Sequence, residues 1–274
     1  MRLPAVAGQF YHADARALAR DIDGMLAGAG ASKARGLAAL VCPHAGHIYS
    51  GGIAAHSFAA LQAAFPSPPS LVLVGPNHTG AGSPVALSLQ DWQTPLGIAR
   101  NDSELGKAVA KAGNTIDFDE EAHRFEHSLE VQLPFLQRIY PAGFSFVPIC
   151  IGAQGLDSAR DVALAVAKAA MALKRNVVLI ASSDFTHYEP AEEAKKKDGR
   201  ALEKILALDS AGFVALVERE RLSICGYGPV ACAIEYAKLR GCGKGVILKY
   251  GNSGDASGDY SSVVAYASII FAEG

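Results

Sequence analysis

The sequence predicts an α/β fold, a single three-layer domain over residues 1–274 in which a mixed sheet carries helices on both faces. Three observations predict it. Apolar, β-rich runs alternate with helical patterns along the chain. Most of the strand runs are nearly continuous in apolar residues, as expected of a sheet covered on both faces. The 274 residues, half of them hydrophobic, contain no repeat and no low-complexity linker, and α/β folds of this size close around one core.

The elements follow in order. Ala15–Leu26 repeats Ala, Leu, Ile and Met at helical spacing. Leu37–Cys42 is a buried strand. Gly52–Ala64 is small and apolar, a helix suited to close packing on the sheet. The Pro/Ser-rich turn Pro66–Ser70 leads into the strand Ser70–Val74, and Val85–Leu89 is the next strand. Ser103–Ala112 is a helix that begins with a capping residue. Ser128–Tyr140 has a helical apolar pattern, and Pro134 must kink it or sit in its first turns. The strand Phe144–Ile151, the Ala-rich helix Ala159–Leu173 and the strand Val177–Ser182 come next. Ala191–Leu208 is a charged outer helix. Asp209 or Ser210 caps a further helix to Glu220. Pro229–Leu239 starts with Pro in its first turn, a favoured place for it. Gly245–Tyr250 and Val263–Phe271 complete the sheet.

Composition excludes several function classes. A formal net charge of -2 gives no basis for nucleic-acid binding. The run Glu192–Asp198 mixes signs at helical spacing and is a solvated helix face. No apolar stretch is long enough to span a membrane. The start of the chain lacks the long apolar core of a secretion signal. Five cysteines without compact disulfide spacing predict reduced thiols and a cytoplasmic protein. No phosphate-binding glycine motif follows a strand, so nucleotide cofactors are not indicated.

Chemistry-bearing residues gather where apolar runs end, and in open α/β sheets ligands bind outside the carboxyl ends of the strands. His44 follows Leu37–Cys42 in the setting Pro43-His44-Ala45-Gly46. His78 follows Ser70–Val74 as Gly75-Pro76-Asn77-His78. Either alone fits a hydrogen-bonded turn histidine, whereas two in matching settings favour a shared metal or acid/base site. Asp184 and His187 follow Val177–Ser182. His187 suits proton transfer and Asp184 can orient an imidazole, the alternative for Asp184 being a cap before the next helix. Ser182 and Ser183 lack a nucleophile elbow, so a serine hydrolase is disfavoured. Cys225 precedes a helix, a place that lowers a thiol pKa and favours the thiolate. Cys42, Cys150 and Cys232 fit small buried hydrophobes.

His123, His127 and Glu130 stand at spacings of four and three, which share one helix face. A second metal site is one reading. The preferred one places His127 and Glu130 at a helix start facing the same pocket, with His127 toward substrate and Glu130 as a simple cap. His47 and His56 are taken as structural or as neighbours of the ligands. Tyr11 and Tyr49 fit aromatic packing, and Gly251–Asp255 fits either a pocket floor or a turn.

The ordered motifs PAVAGQFY, PHAGHIYSG, GPNHTG, EHSLEVQLPFLQ, SSDFTHYEP and ICGYGPV resemble the Memo family, whose prokaryotic members are called AmmeMemoRadiSam system protein B. The similarity spans nearly the whole chain. It implies a fold similar to class III extradiol (LigB-like) dioxygenases, which are non-haem iron enzymes. It also implies His44, His78 and Cys225 as metal ligands, with Asp184 and His187 as the acid/base pair. Cys225 stands where those dioxygenases use a carboxylate. A thiolate favours copper or zinc over a carboxylate-rich iron site without excluding iron(II), and puts ring opening in doubt. The expected function is a metal-dependent redox role on a small molecule. Extradiol cleavage and a non-enzymatic, peptide-binding scaffold are the alternatives. The family name implies a radical-SAM partner protein.

Overall fold

A computed structural model describes residues 1–30 and 34–273; residues 31–33 and 274 of the expected domain lie outside the described residues. In chain order the elements are α1 (Ala15–Gly28), β1 (Ala39–Cys42), α2 (His47–Ala64), β2 (Ser70–Pro76), β3 (Val85–Leu87), β4 (Trp92–Thr94), β5 (Gly97–Asn101), α3 (Ser103–Ala112) and β6 (Asp117–Phe118). A 3-10 turn (Glu130–Gln132) then leads into α4 (Leu133–Ile139) and β7 (Ser145–Ile151). The rest of the chain forms α5 (Leu156–Leu173), β8 (Val177–Ser182), β9 (His187–Glu189), α6 (Ala191–Leu206), α7 (Ser210–Glu220), α8 (Tyr227–Leu239), β10 (Lys244–Asn252), α9 (Gly254–Ser257) and β11 (Val263–Ala272).

The sheet runs β10-β11-β1-β8-β2-β7-β3-β6. Its centre is parallel: β1 pairs β8, β8 pairs β2 and β2 pairs β7. Antiparallel β11 and β10 close one side, and antiparallel β3 follows β7 on the other. Alternate side chains of each central strand enter opposite layers, the two-residue period of a strand. Val41, Val72 and Leu179 pack with α3, α5 and α8 on one face. Leu40, Leu71 and Ile180 pack with α1, α2 and α4 on the other. This is the three-layer α/β domain that the continuous apolar runs predict.

Local differences have physical causes. The predicted helix Ser128–Tyr140 is shorter. Pro134 occupies the first turn of α4, and the residues before it form the tighter 3-10 turn. The Gly52–Ala64 helix begins earlier, at His47, so Tyr49-Ser50-Gly51-Gly52 is helical. Asp102, not Ser103, caps α3 by accepting from the Leu105 N–H at 3.1 Å. Asp209 caps α7 by accepting from the Gly212 N–H at 2.8 Å. Four short strands, β4, β5, β6 and β9, and the one-turn α9 were not expected. Among the described residues no helix is long and apolar enough to cross a membrane, and all five cysteines are free.

Candidate metal centre

Because β1, β8 and β2 are parallel neighbours, their carboxyl ends release the chain at one edge of the sheet. His44 follows β1, Asp184 follows β8 and His78 follows β2. The segment between α7 and α8 brings Cys225 to the same edge, held close by Gly226. A Cβ at Gly226 would collide with the Ser182 carbonyl oxygen and lie 2.7 Å from Ser183 Cβ. Gly75 permits a similar approach on the β2 side, where a Cβ would lie 2.8 Å from Leu129 Cδ2.

One ligand atom from each of His44, His78 and Cys225 lies within 4.8 Å of the others. His44 Nε2 is 3.1 Å from Cys225 Sγ, and the His44 and His78 rings meet edge to face at 5.1 Å. His127 stacks on His78 at 4.6 Å, with Phe10 packed against it at 4.7 Å. These groups open into a cleft of about 580 Å³ whose walls also include Asp184, His187, Tyr188, Ser223 and Val264. A larger cleft of about 700 Å³ surrounds Arg175, but that guanidinium is already paired with Asp102 and Glu104.

Each site residue has a defined anchor. The His44 Nδ1 is 2.9 Å from Ser182 Oγ, and its backbone N–H donates to Asp184 Oδ1 at 2.7 Å. His78 meets the buried carboxylate of Glu126 twice, through its backbone N–H at 2.5 Å and Nδ1 at 2.9 Å. The His187 Nδ1 lies between the carbonyl oxygens of Phe185 and Ser223, at 2.6 and 2.7 Å. Asp184 donates its backbone N–H to the Cys225 sulfur at 3.2 Å.

Burial governs the electrostatics. It holds the His44 imidazole well below its ordinary pKa, and the neighbouring His78, His127 and His187 add to this. His127 is lowered as well, chiefly by burial. Burial pushes the Asp184 carboxyl up to about 6, against the His44 N–H that favours its ionised form. Burial also works against the Glu126 carboxylate, yet the His78 and Ser128 donors outweigh it and bring the group down to about 2. The Cys225 thiol departs from expectation: burial, reinforced by Asp184, raises it well above the ordinary value despite its place before α8. A bound cation would reverse that balance, because a coordinating thiol is deprotonated.

The structure therefore brings together His44, His78, Cys225, Asp184, His187 and His127. It separates His123 and Glu130 from them. His123 is buried against Trp92, with Nε2 on the Ala86 carbonyl oxygen at 3.1 Å. Glu130 neither caps a helix nor faces the cleft. Its buried carboxylate accepts from Arg2, the Ala5 and Val6 N–H groups and the Tyr11 hydroxyl. Asp184 is committed to the His44 backbone rather than to a helix cap. His47 is structural, with Nε2 on the Val131 carbonyl oxygen at 3.0 Å. Of Gly251–Asp255, the residues Gly251, Asn252 and Asp255 line a separate cleft. Glu126 was missed, although its place directly before His127 in EHSLE was a usable signal. His78, Glu126 and His127 also lie close enough to hold a metal. The Glu126 oxygens, however, are taken by three hydrogen bonds from His78 and Ser128.

Two imidazoles and a thiol converging on an open cleft fit a transition-metal ion, for which nitrogen and sulfur are suitable donors. A family model described as Memo-like protein matches residues 2–270. A MEMO1 family protein of Methanopyrus kandleri is 47% identical over 282 residues, covering 100% of this chain and 99% of its own. A MEMO1 family protein of Methanosarcina acetivorans is 46% identical over 270 residues, covering 98% of each. The crystal structure of an uncharacterised protein from Escherichia coli K12 shares the fold, with a TM-score of 0.56 and 16% identity over 85% of this chain and 99% of that one. The matching family model and these relatives show that the chain belongs to the Memo-like family.

Proposed function

We propose that this protein holds a redox-active metal, iron(II) or copper, through His44, His78 and Cys225 and performs oxidative chemistry on a small molecule. The observation that carries this reading is the convergence of three ligand atoms within 4.8 Å at the mouth of an open cleft. Either metal would supply electron transfer and open coordination positions, whereas zinc in the same seat would act as a Lewis acid alone.

The chain's own residues manage substrate and protons. His187 lines the cleft with Nδ1 engaged by carbonyl oxygens, which leaves Nε2 to take or return a proton. Asp184 fixes the His44 backbone, and burial raises its carboxyl to about 6. His127 and Phe10, their rings inclined at 59° to each other, form an aromatic wall for substrate to lie against. Among the described residues no Lys or Arg lines the cleft, so substrate charge is met by the metal and by imidazoles. The free thiols support a cytoplasmic setting, and the family resemblance supports a radical-SAM partner.

The test is anaerobic loading with iron(II), copper(I) and zinc, comparing the wild type with His44→Ala, His78→Ala and Cys225→Ser. One metal per chain, lost in all three variants, supports the seat and leads to oxygen-uptake assays. Binding that survives in all three removes the reading and favours a metal-independent scaffold.

A further inference from the structure

Five histidines of this chain have one ring nitrogen paired with a group whose proton count is fixed, so their tautomers follow from the hydrogen bonds. The Ser182 hydroxyl lies 2.7 Å from the Ser128 carbonyl oxygen. A carbonyl cannot donate, so the hydroxyl proton points there. Gln132 Nε2 donates to the same Ser182 oxygen at 2.9 Å. The Ser182 oxygen can therefore only accept from His44 Nδ1, which must carry the proton and leave Nε2 bare beside Cys225 Sγ. Behind His78 stands the Glu126 carboxylate, an acceptor, so Nδ1 again carries the proton. His187 repeats the pattern with two carbonyl oxygens.

The histidines outside the cleft show the opposite arrangement. His47 and His123 donate from Nε2 to the Val131 and Ala86 carbonyl oxygens, and their Nδ1 atoms are buried without a partner. The fold thus sorts these five imidazoles: the three at the cleft keep Nε2 free of a proton, and the two in the core donate from it.

We propose that Ser182, backed by Gln132, and Glu126 are positioning residues that set the tautomers of His44 and His78, so both rings present a bare Nε2 to the metal seat before any metal arrives. The purpose of this device rests on the metal reading above; the ring assignment does not. Ligand histidines are commonly oriented by such outer hydrogen bonds, whose loss weakens metal binding by about 10- to 100-fold. Gln132 ties the device to the scaffold, since its amide also donates to the Pro43 carbonyl oxygen at 2.9 Å, next to His44.

The experiment has two readouts. Long-range proton–nitrogen NMR of the metal-free, histidine-labelled protein reads each tautomer directly. Zinc alone, competed against a chromogenic chelator, reads affinity. In the wild type His44, His78 and His187 are expected as Nδ1–H, and His47 and His123 as Nε2–H. Ser182→Ala is expected to give His44 a mixed tautomer and to lower zinc affinity by about 10- to 100-fold, with His78 unchanged. Glu126→Leu is expected to do the same to His78 alone; should it not fold, the smaller Ser182→Ala change decides. His44 found as Nε2–H in the wild type, or a His44 signal and zinc affinity unmoved by Ser182→Ala, overturns the proposal. The expected tautomers in a wild type that binds no zinc would support the ring assignment and remove the metal reading instead.

Discussion

His123 is a histidine of the kind that sets acid stability rather than chemistry. Burial is the chief cause of its lowered pKa, which falls to about 4. An unfolded chain would protonate it near 6.5, so the native state binds fewer protons between those values. Its contribution to stability is fully present above pH 6.5 and is lost as pH falls through about 4. The shift corresponds to about 3 kcal/mol. His123→Leu is expected to lose less stability than the wild type between pH 7 and pH 4, in urea melts at each pH; parallel curves would refute this. Tyr188 carries a different load. Its φ is +60°, a left-handed conformation unfavourable to a side chain with a Cβ, and its ring is 78% exposed at the cleft rim. Tyr188→Gly is expected to raise stability by about 1 kcal/mol, seen as a higher urea midpoint. An unchanged or lower midpoint would mean that the ring's contacts offset the strain.

At the scale of elements, the chain's first residues hold the cleft wall. Arg2 is buried, donating to Glu130, to the carbonyl oxygens of His123 and Glu126, and lying 4.1 Å over the Trp92 ring. Glu130 gathers Ala5, Val6 and Tyr11 into the same clamp, which sets Phe10 against His127. Breaking a buried ion pair leaves a charge without compensation. Glu130→Gln is expected to cost about 3 kcal/mol in chemical denaturation. Trp92, the sole tryptophan, should report the loosened clamp by fluorescence; a loss below 1 kcal/mol with unchanged emission would contradict this account. The loop before α8 is equally constrained. Gly226→Ala forces a methyl group against the end of β8 and is expected to cost about 1–3 kcal/mol. It should also displace Cys225 and lower metal content per folded chain, measured by elemental analysis.

At the scale of the whole molecule, the sequence showed its interior more plainly than its edges. Leu37–Cys42, Ser70–Val74 and Val177–Ser182 were legible because central parallel strands need apolar residues on both faces, and the site was legible because it hangs from their ends. The strands Gly97–Asn101 and Asp117–Phe118 were not, since they are short and largely exposed and carry no apolar pattern. Glu126, Ser182 and Gln132 were hidden for another reason. Their roles lie in pairings across 48, 138 and 50 residues of chain, which local pattern does not specify; for Glu126 the neighbouring His127 marked the residue but not its partner His78. A ligand held by the native state alone stabilises it by mass action. Metal at 100 times its dissociation constant is expected to add about 2.7 kcal/mol, measured as a shift in thermal melting that Cys225→Ser abolishes; an equal shift in that variant would place the metal elsewhere. The separation of 181 residues between His44 and Cys225 has one further consequence. During synthesis both histidines leave the ribosome long before the cysteine, and β1 and β2 cannot flank β8 until β8 exists. A seat made of all three donors would therefore close only after the central strands have paired, so an ion held there would enter through the mouth of the cleft after folding rather than guide it.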